Sequence, residues 1–167
     1  LTPQSDPCKR ILLDQLPRLL RGYGKTPGID AVVVVVDTDG RVCSDLLSEL
    51  NSLLSQCASA PKTLFRLAIE EIEAWYLGDR QALLSAYPKA KRRILDDYVQ
   101  DSVCGTWEVL ANAIHSKTSA AIKKDGWPSS GHLKHEWARN IPIHMDIDNN
   151  ASPSFNKFVE GLRRIIS

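Results

Sequence analysis

The chain has 167 residues with a formal net charge of +1 and an ordinary balance of apolar (43%) and charged (25%) residues. That composition excludes a disordered or low-complexity protein and gives no global electrostatic footprint for nucleic acid. It has no apolar run long enough to span a bilayer and no visible signal peptide, which points to a cytoplasmic protein of one domain, residues 1–167.

Apolar residues Ile11, Leu12, Leu16, Leu19 and Leu20 fall at helical spacing over residues 7–23, and Pro17 predicts a kink or two short helices there. A loop rich in glycine follows. Then comes A-V-V-V-V-V-D-T-D-G at 31–40. Five consecutive β-branched residues predict a strand, and the lack of polar alternation predicts burial on both faces. Leucines 46, 47, 50, 53 and 54 mark an amphipathic helix over 45–54, with Ser44 as its expected N-cap. Residues 62–69, K-T-L-F-R-L-A-I, predict a second strand, so the order strand–helix–strand implies a parallel crossover.

Beyond residue 79 the pattern is mainly helical. Helices are expected over 80–87 and on through a basic segment to about 99, then over 106–115 with Trp107, Val109, Leu110 and Ala113 inward. Residues 126–131 read as a loop, 132–144 as a helix interrupted by Pro142. Ser152-Pro153 predicts a clean helix start as N-cap and first-turn proline, with Phe155, Phe158, Leu162 and Ile165 facing the core. With 30–79 as the sheet core and 80–167 as a helical part, two strands are too few for a stable sheet. A missing N-terminal strand is the simplest expectation for a chain that starts on Leu1.

Cys8, Cys43, Cys57 and Cys104 lack C-x-x-C spacing, which fits reduced thiols better than zinc. The four histidines lack H-E-x-x-H spacing and read as surface residues. G-Y-G-K-T at 22–26 lacks the first part of a P-loop and precedes a strand. Basic clusters at Lys89/Lys91/Arg92/Arg93, Lys123/Lys124 and Arg163/Arg164 read as solvated helix faces, with a phosphate-contacting surface as the alternative.

Chemistry concentrates at the strand ends. Asp37 and Asp39 close the valine strand, and ligands of open α/β sheets bind just past such ends. Two acids there serve either as metal ligands or as a nucleophile with its acid partner. Glu70, Glu71 and Glu73 follow the second strand. If that strand persists, Glu71 and Glu73 share a side; if the chain is already helical, Glu70 and Glu73 share a face. Carboxylates converging on one edge must be protonated or bridged by cations, and a hard ion such as Mg²⁺ is the natural bridge. The bland alternative is a solvated helix start favoured by the helix dipole.

D-T-D-G after a strand resembles the first motif of haloacid-dehalogenase-type phosphatases, which implies Asp37 as nucleophile and Asp39 as acid/base; the likeness ends at that motif. L-P-R-L-L-R-G-Y (16–23), V-V-V-V-V-D-T-D (32–39), A-I-E-E-I-E-A-W-Y-L-G-D (68–79) and H-M-D-I-D-N-N-A-S-P-S-F (144–155) together resemble a Toprim-like family of uncharacterised, mostly bacterial proteins, the domain of unknown function 4276 family. The resemblance implies a Toprim-like, Rossmann-like parallel sheet flanked by helices. It also implies Mg²⁺ (or Mn²⁺) held by Asp37, Asp39, Glu71 and Glu73, with Glu70 and Asp79 as additional acidic positions. The activity implied is a Mg²⁺-dependent nuclease in defence or nucleic-acid processing, with nucleic acid as partner. A non-catalytic module serving an ATPase is the further alternative. Toprim domains place another glutamate after their first strand; residues 1–30 contain no such strand, so it is expected upstream of Leu1.

Overall fold

The computed structural model describes residues 7–102 and 105–167, without the side chains of 7–10 and 127–129. In chain order the elements are α1 (Pro7–Tyr23), β1 (Ala31–Asp37), α2 (Cys43–Ser55), β2 (Lys62–Ala68), α3 (Glu73–Leu77), α4 (Arg80–Ala86), α5 (Arg92–Asp97), α6 (Thr106–Ile114), α7 (Ser119–Lys124), α8 (Trp127–Asn140), a 3-10 turn (Pro142–His144) and α9 (Pro153–Ile166). The architecture is mixed α/β: a small parallel sheet flanked by helices, followed by a helical part.

Among the described residues the sheet has two strands, paired in parallel from Ala31 opposite Lys62 to Asp37 opposite Ala68. Valine and leucine side chains at alternate positions meet α1 and α2 on one face, where Val34, Val36, Phe65 and Leu67 pack with Leu16, Leu20, Leu46 and Leu50. The other face is only half covered: Val35 and Ala68 pack with Trp75, Phe155 and Val159. Burial of β1 therefore alternates, which corrects the expectation that both faces are fully buried. A second core lies wholly within the helical part, around Leu77, Leu83, Leu95, Leu110, Trp137 and Ile141.

Other expectations need adjusting. Pro17 does not split α1, which runs through it as one helix, with Leu16 and Leu20 buried on either side of the proline. Ser44 is not the cap of α2; the helix begins two residues earlier than expected, at Cys43 with Val42 as N-cap, and Ser44 Oγ donates to Asp45 instead. The turn-rich segment 126–131 is helical from Trp127, with Gly126 as N-cap and Pro128 in the first turn, where its missing N–H is not needed. Ser152 caps α9 as expected, accepting from Phe155 N–H at 3.2 Å, with Val159 buried besides Phe155. Cys43 and Cys57 are free thiols; Cys104 and the Cys8 side chain lie outside the described residues. No helix among the described residues is long and apolar enough to cross a membrane.

Candidate functional site: the acidic end of the sheet

Because β1 and β2 are adjacent and in register, their carboxyl ends arrive together. Pairing even continues past the strands: Thr38 N–H donates to Ala68 O at 3.1 Å and Asp39 N–H to Glu70 O at 3.2 Å. Thr38 is buried, so the two-residue period turns Asp37 and Asp39 to the opposite side, Asp37 half-buried and Asp39 exposed at the rim. The chain then turns through positive φ at Asp39 (+46°) and Gly40 (+75°), conformations that suit these two residue types.

Neither regular geometry holds over 70–73. β2 stops at Ala68, a turn with a cis Ile69–Glu70 peptide intervenes, and α3 begins only at Glu73. The three glutamates consequently find different partners. Glu70 accepts the backbone N–H of Gly105. Glu71 Oε2 accepts from Thr106 Oγ1 at 3.2 Å and Trp107 N–H at 3.1 Å, so both glutamates cap the start of α6, where the dipole favours negative charge. Glu71 Oε1 accepts from Lys134 Nζ at 2.8 Å, and the same ammonium lies 3.4 Å from Glu73 Oε1. The pair that converges is Glu71 and Glu73.

Glu73 is the unusual member. Only 2% of it is exposed, and its Oε2 is buried without a hydrogen-bond partner. A solvated helix start is therefore ruled out for this residue. Burial pushes its carboxyl above the usual range; Lys134 opposes that shift and the Glu71 charge adds to it. Burial alone would lower the Lys134 ammonium, but Glu73 and Glu71 outweigh it and hold the group above its ordinary value. The Tyr76 phenol is pushed up to about 12 by burial first and then by the charges of Glu73 and Asp37.

Asp39, Glu70, Glu71, Gly105, Trp107 and Glu108 line an open cleft of about 170 Å³. Gly105 sits at φ +93°, and a Cβ there would come within 2.9 Å of Glu108 Oε2. Glu108 Oε1 pairs with Lys123 Nζ at 2.5 Å, and that ammonium lies 5.3 Å from the Trp107 ring centre. A larger cavity of about 530 Å³ opens between α2, β2 and α9 and involves none of these carboxylates. Its lining is more apolar and holds no comparable convergence of acids. Among the described residues no three His, Cys, Asp or Glu side chains are grouped so as to hold a metal ion.

Asp79 lies apart from this edge. Its Oδ1 caps α4 by accepting Ala82 N–H at 2.9 Å, and its Oδ2 accepts Asp146 N–H at 2.8 Å. Trp75 has a scaffolding role that links two of the sequence motifs. Its Nε1–H donates to Ser154 Oγ at 2.9 Å, and its ring meets Phe155 and Phe158 at 5.5 and 4.9 Å. Asp101 anchors the same helix start, accepting from Ser152 Oγ at 3.0 Å and Ser154 N–H at 2.8 Å. The basic clusters are largely engaged locally: Lys91 Nζ donates to Asn112 O and His115 O, and Arg164 reaches Glu160 at 3.6 Å. His132, His135 and His144 are exposed, while His115 Nε2 accepts from Trp137 Nε1–H at 3.3 Å.

Sequence reasoning placed a helix over 106–115, and α6 runs from Thr106 to Ile114; what it missed is that the start of this helix, Glu108 and Lys134 meet the acidic residues. The one readable signal was Gly126-Trp127-Pro128, a glycine and first-turn proline that open the helix carrying Lys134.

A family model described as a domain of unknown function (DUF4276) matches residues 3–163. No curated protein and no solved structure matches the chain.

Proposed function

The chain belongs to the DUF4276 family of domains of unknown function, and we propose that it is a Toprim-like protein whose acidic sheet edge binds Mg²⁺ and supports phosphodiester hydrolysis of nucleic acid. The buried, unpartnered Oε2 of Glu73 carries this reading. A carboxylate oxygen withheld from water and from every described donor is costly for a fold and is suited to a cation. Glu71 and Glu73 fit Mg²⁺, an ion that takes oxygen ligands, uses one or two carboxylates and keeps several waters; Mn²⁺ satisfies the same donors.

When bound, the ion supplies a polarised water and neutralises charge on a phosphate. The protein's own part is positioning. Glu71 is locked by the first turn of α6 and cannot swing away. Asp37 and Asp39 bring two further acids to the same edge, Asp39 at the solvent rim. Lys123 stands over Trp107 beside the cleft, a cation for a phosphate that the carboxylates would otherwise repel.

The test is cleavage of DNA and RNA with and without Mg²⁺, using wild type and the Asp37→Asn/Asp39→Asn variant. Mg²⁺-dependent cleavage lost in the variant supports the reading. Cleavage that is unchanged in the variant rejects the site. Hydrolysis of p-nitrophenyl phosphate with a trapped aspartyl-phosphate on Asp37 would move the protein to haloacid-dehalogenase-type chemistry. Lack of any hydrolysis together with capture of an ATPase would move it to a non-catalytic interaction module.

A further inference from the structure

Lys134 has no place in the proposed chemistry, yet it makes the shortest contact to the carboxylate pair. Its Nζ sits 2.8 Å from Glu71 Oε1 and 3.4 Å from Glu73 Oε1, bridging both. Among the described residues no other Lys or Arg pairs with either glutamate. We propose that Lys134 is the resident counter-cation of this pair, and that a divalent ion and the Lys134 ammonium exclude one another there. This inference rests on the metal reading above and specifies how that site is regulated.

The geometry decides which partner gives way. Glu71 is held by Thr106 Oγ1 and Trp107 N–H, and Glu73 is almost wholly buried in the first turn of α3. The carboxylates are fixed. Lys134 is the movable member: its side chain is 32% exposed, and a flexible four-carbon stem lets an ammonium withdraw into water while its methylenes stay packed. Lys134 touches the Oε1 atoms while Glu73 Oε2 is the unpartnered oxygen. A divalent ion held by the same two carboxylates would nonetheless stand within a few ångströms of that ammonium, and two cations at such a distance repel strongly in a half-buried site. The site therefore opens only by losing the lysine, and apparent metal affinity is reduced by the fraction of molecules in which the lysine is seated.

Mn²⁺ is the probe. Its binding is measured by electron paramagnetic resonance near neutral pH for wild type, Lys134→Met and Lys134→Arg, with circular dichroism melts as the check on folding. The expected result is binding about tenfold tighter in Lys134→Met. Lys134→Arg should bind no tighter than wild type, because a guanidinium forks across two carboxylates. A second readout needs no variant: Mn²⁺ should increase labelling of Lys134 by an amine-reactive reagent severalfold, scored by mass spectrometry against Na⁺. Lys134→Met binding no tighter than wild type, or labelling that Mn²⁺ leaves unchanged, overturns the exclusion while leaving the metal site standing. Binding by none of the three proteins overturns the metal reading and this inference with it.

Discussion

Replacing Glu73 with Gln should make the protein more stable while damaging its site. Glu73 is 2% exposed, with one oxygen unpartnered and the other 3.4 Å from Lys134. Leaving a buried polar group unpaired costs ~1–3 kcal/mol, more when it is charged. Gln keeps the shape and removes the charge, while Lys134 keeps its 2.8 Å contact to Glu71. The variant should therefore gain ~1 kcal/mol, or about 2–4 °C in Tm for a chain of this size. The pH dependence has a definite sign. Because burial raises the folded carboxyl above its ordinary value of about 4.5, the native state holds the proton more tightly than the unfolded chain. Wild type is thus relatively most stable below about 4.5 and loses that contribution as pH rises through the folded value. The advantage of Glu73→Gln should be largest above that range and shrink towards pH 4.5. Urea denaturation followed by tryptophan fluorescence across that range measures it. A variant less stable than wild type by ~1 kcal/mol or more at neutral pH would show that the Glu73–Lys134 pair holds the fold together, and the argument that Glu73 is strained for function would fail.

Trp75→Ala should destabilise by ~3–5 kcal/mol through cavity formation and the loss of the bond to Ser154 and both ring contacts, measured by the same denaturation; a cost below ~1 kcal/mol would mean α9 is not anchored there. Asp79→Ala should cost ~2–3 kcal/mol by removing the α4 cap and the acceptor for Asp146 N–H. It should leave Mn²⁺ affinity unchanged in a calorimetric titration, and a large loss of affinity would place Asp79 in the site. Gly105→Ala should cost ~1–2 kcal/mol because φ there is +93° and the added Cβ crowds Glu108; a neutral result in thermal melts would show that the α6 start relaxes.

The sheet was readable because its signals are local. Five valines mark the first strand, the 62–69 run marks the second, and the short crossover through α2 makes them parallel neighbours, so the strand ends at Asp37 and Ala68 arrive side by side in register. The glutamates' individual fates were not readable. They depend on the turn at 69–72 and on contacts with the start of α6, a helix that was legible at 106 but whose tertiary placement against residues thirty-odd positions earlier no periodicity announces. The start of α8 was hidden because G-W-P-S-S-G is made of turn-forming residue types that here open a helix. Lys134 lay inside the expected helix, but its pairing with Glu71 and Glu73 is long-range and leaves no local signal. Of the two outcomes expected at Pro17, a kink or a split, the split does not occur: the helix continues, with Leu16 and Leu20 packed in the core on either side of the proline. Asp79 looked like part of the acidic constellation, since spacing alone cannot distinguish a cap from a ligand.

The most direct test of the proposed metal site is Mn²⁺ affinity in wild type against Glu73→Gln, under conditions where both are folded. Saturable binding by wild type, weakened about tenfold or more in the variant, is the predicted result. Equal affinity in the two proteins would mean that the buried oxygen of Glu73 takes no part in holding a cation.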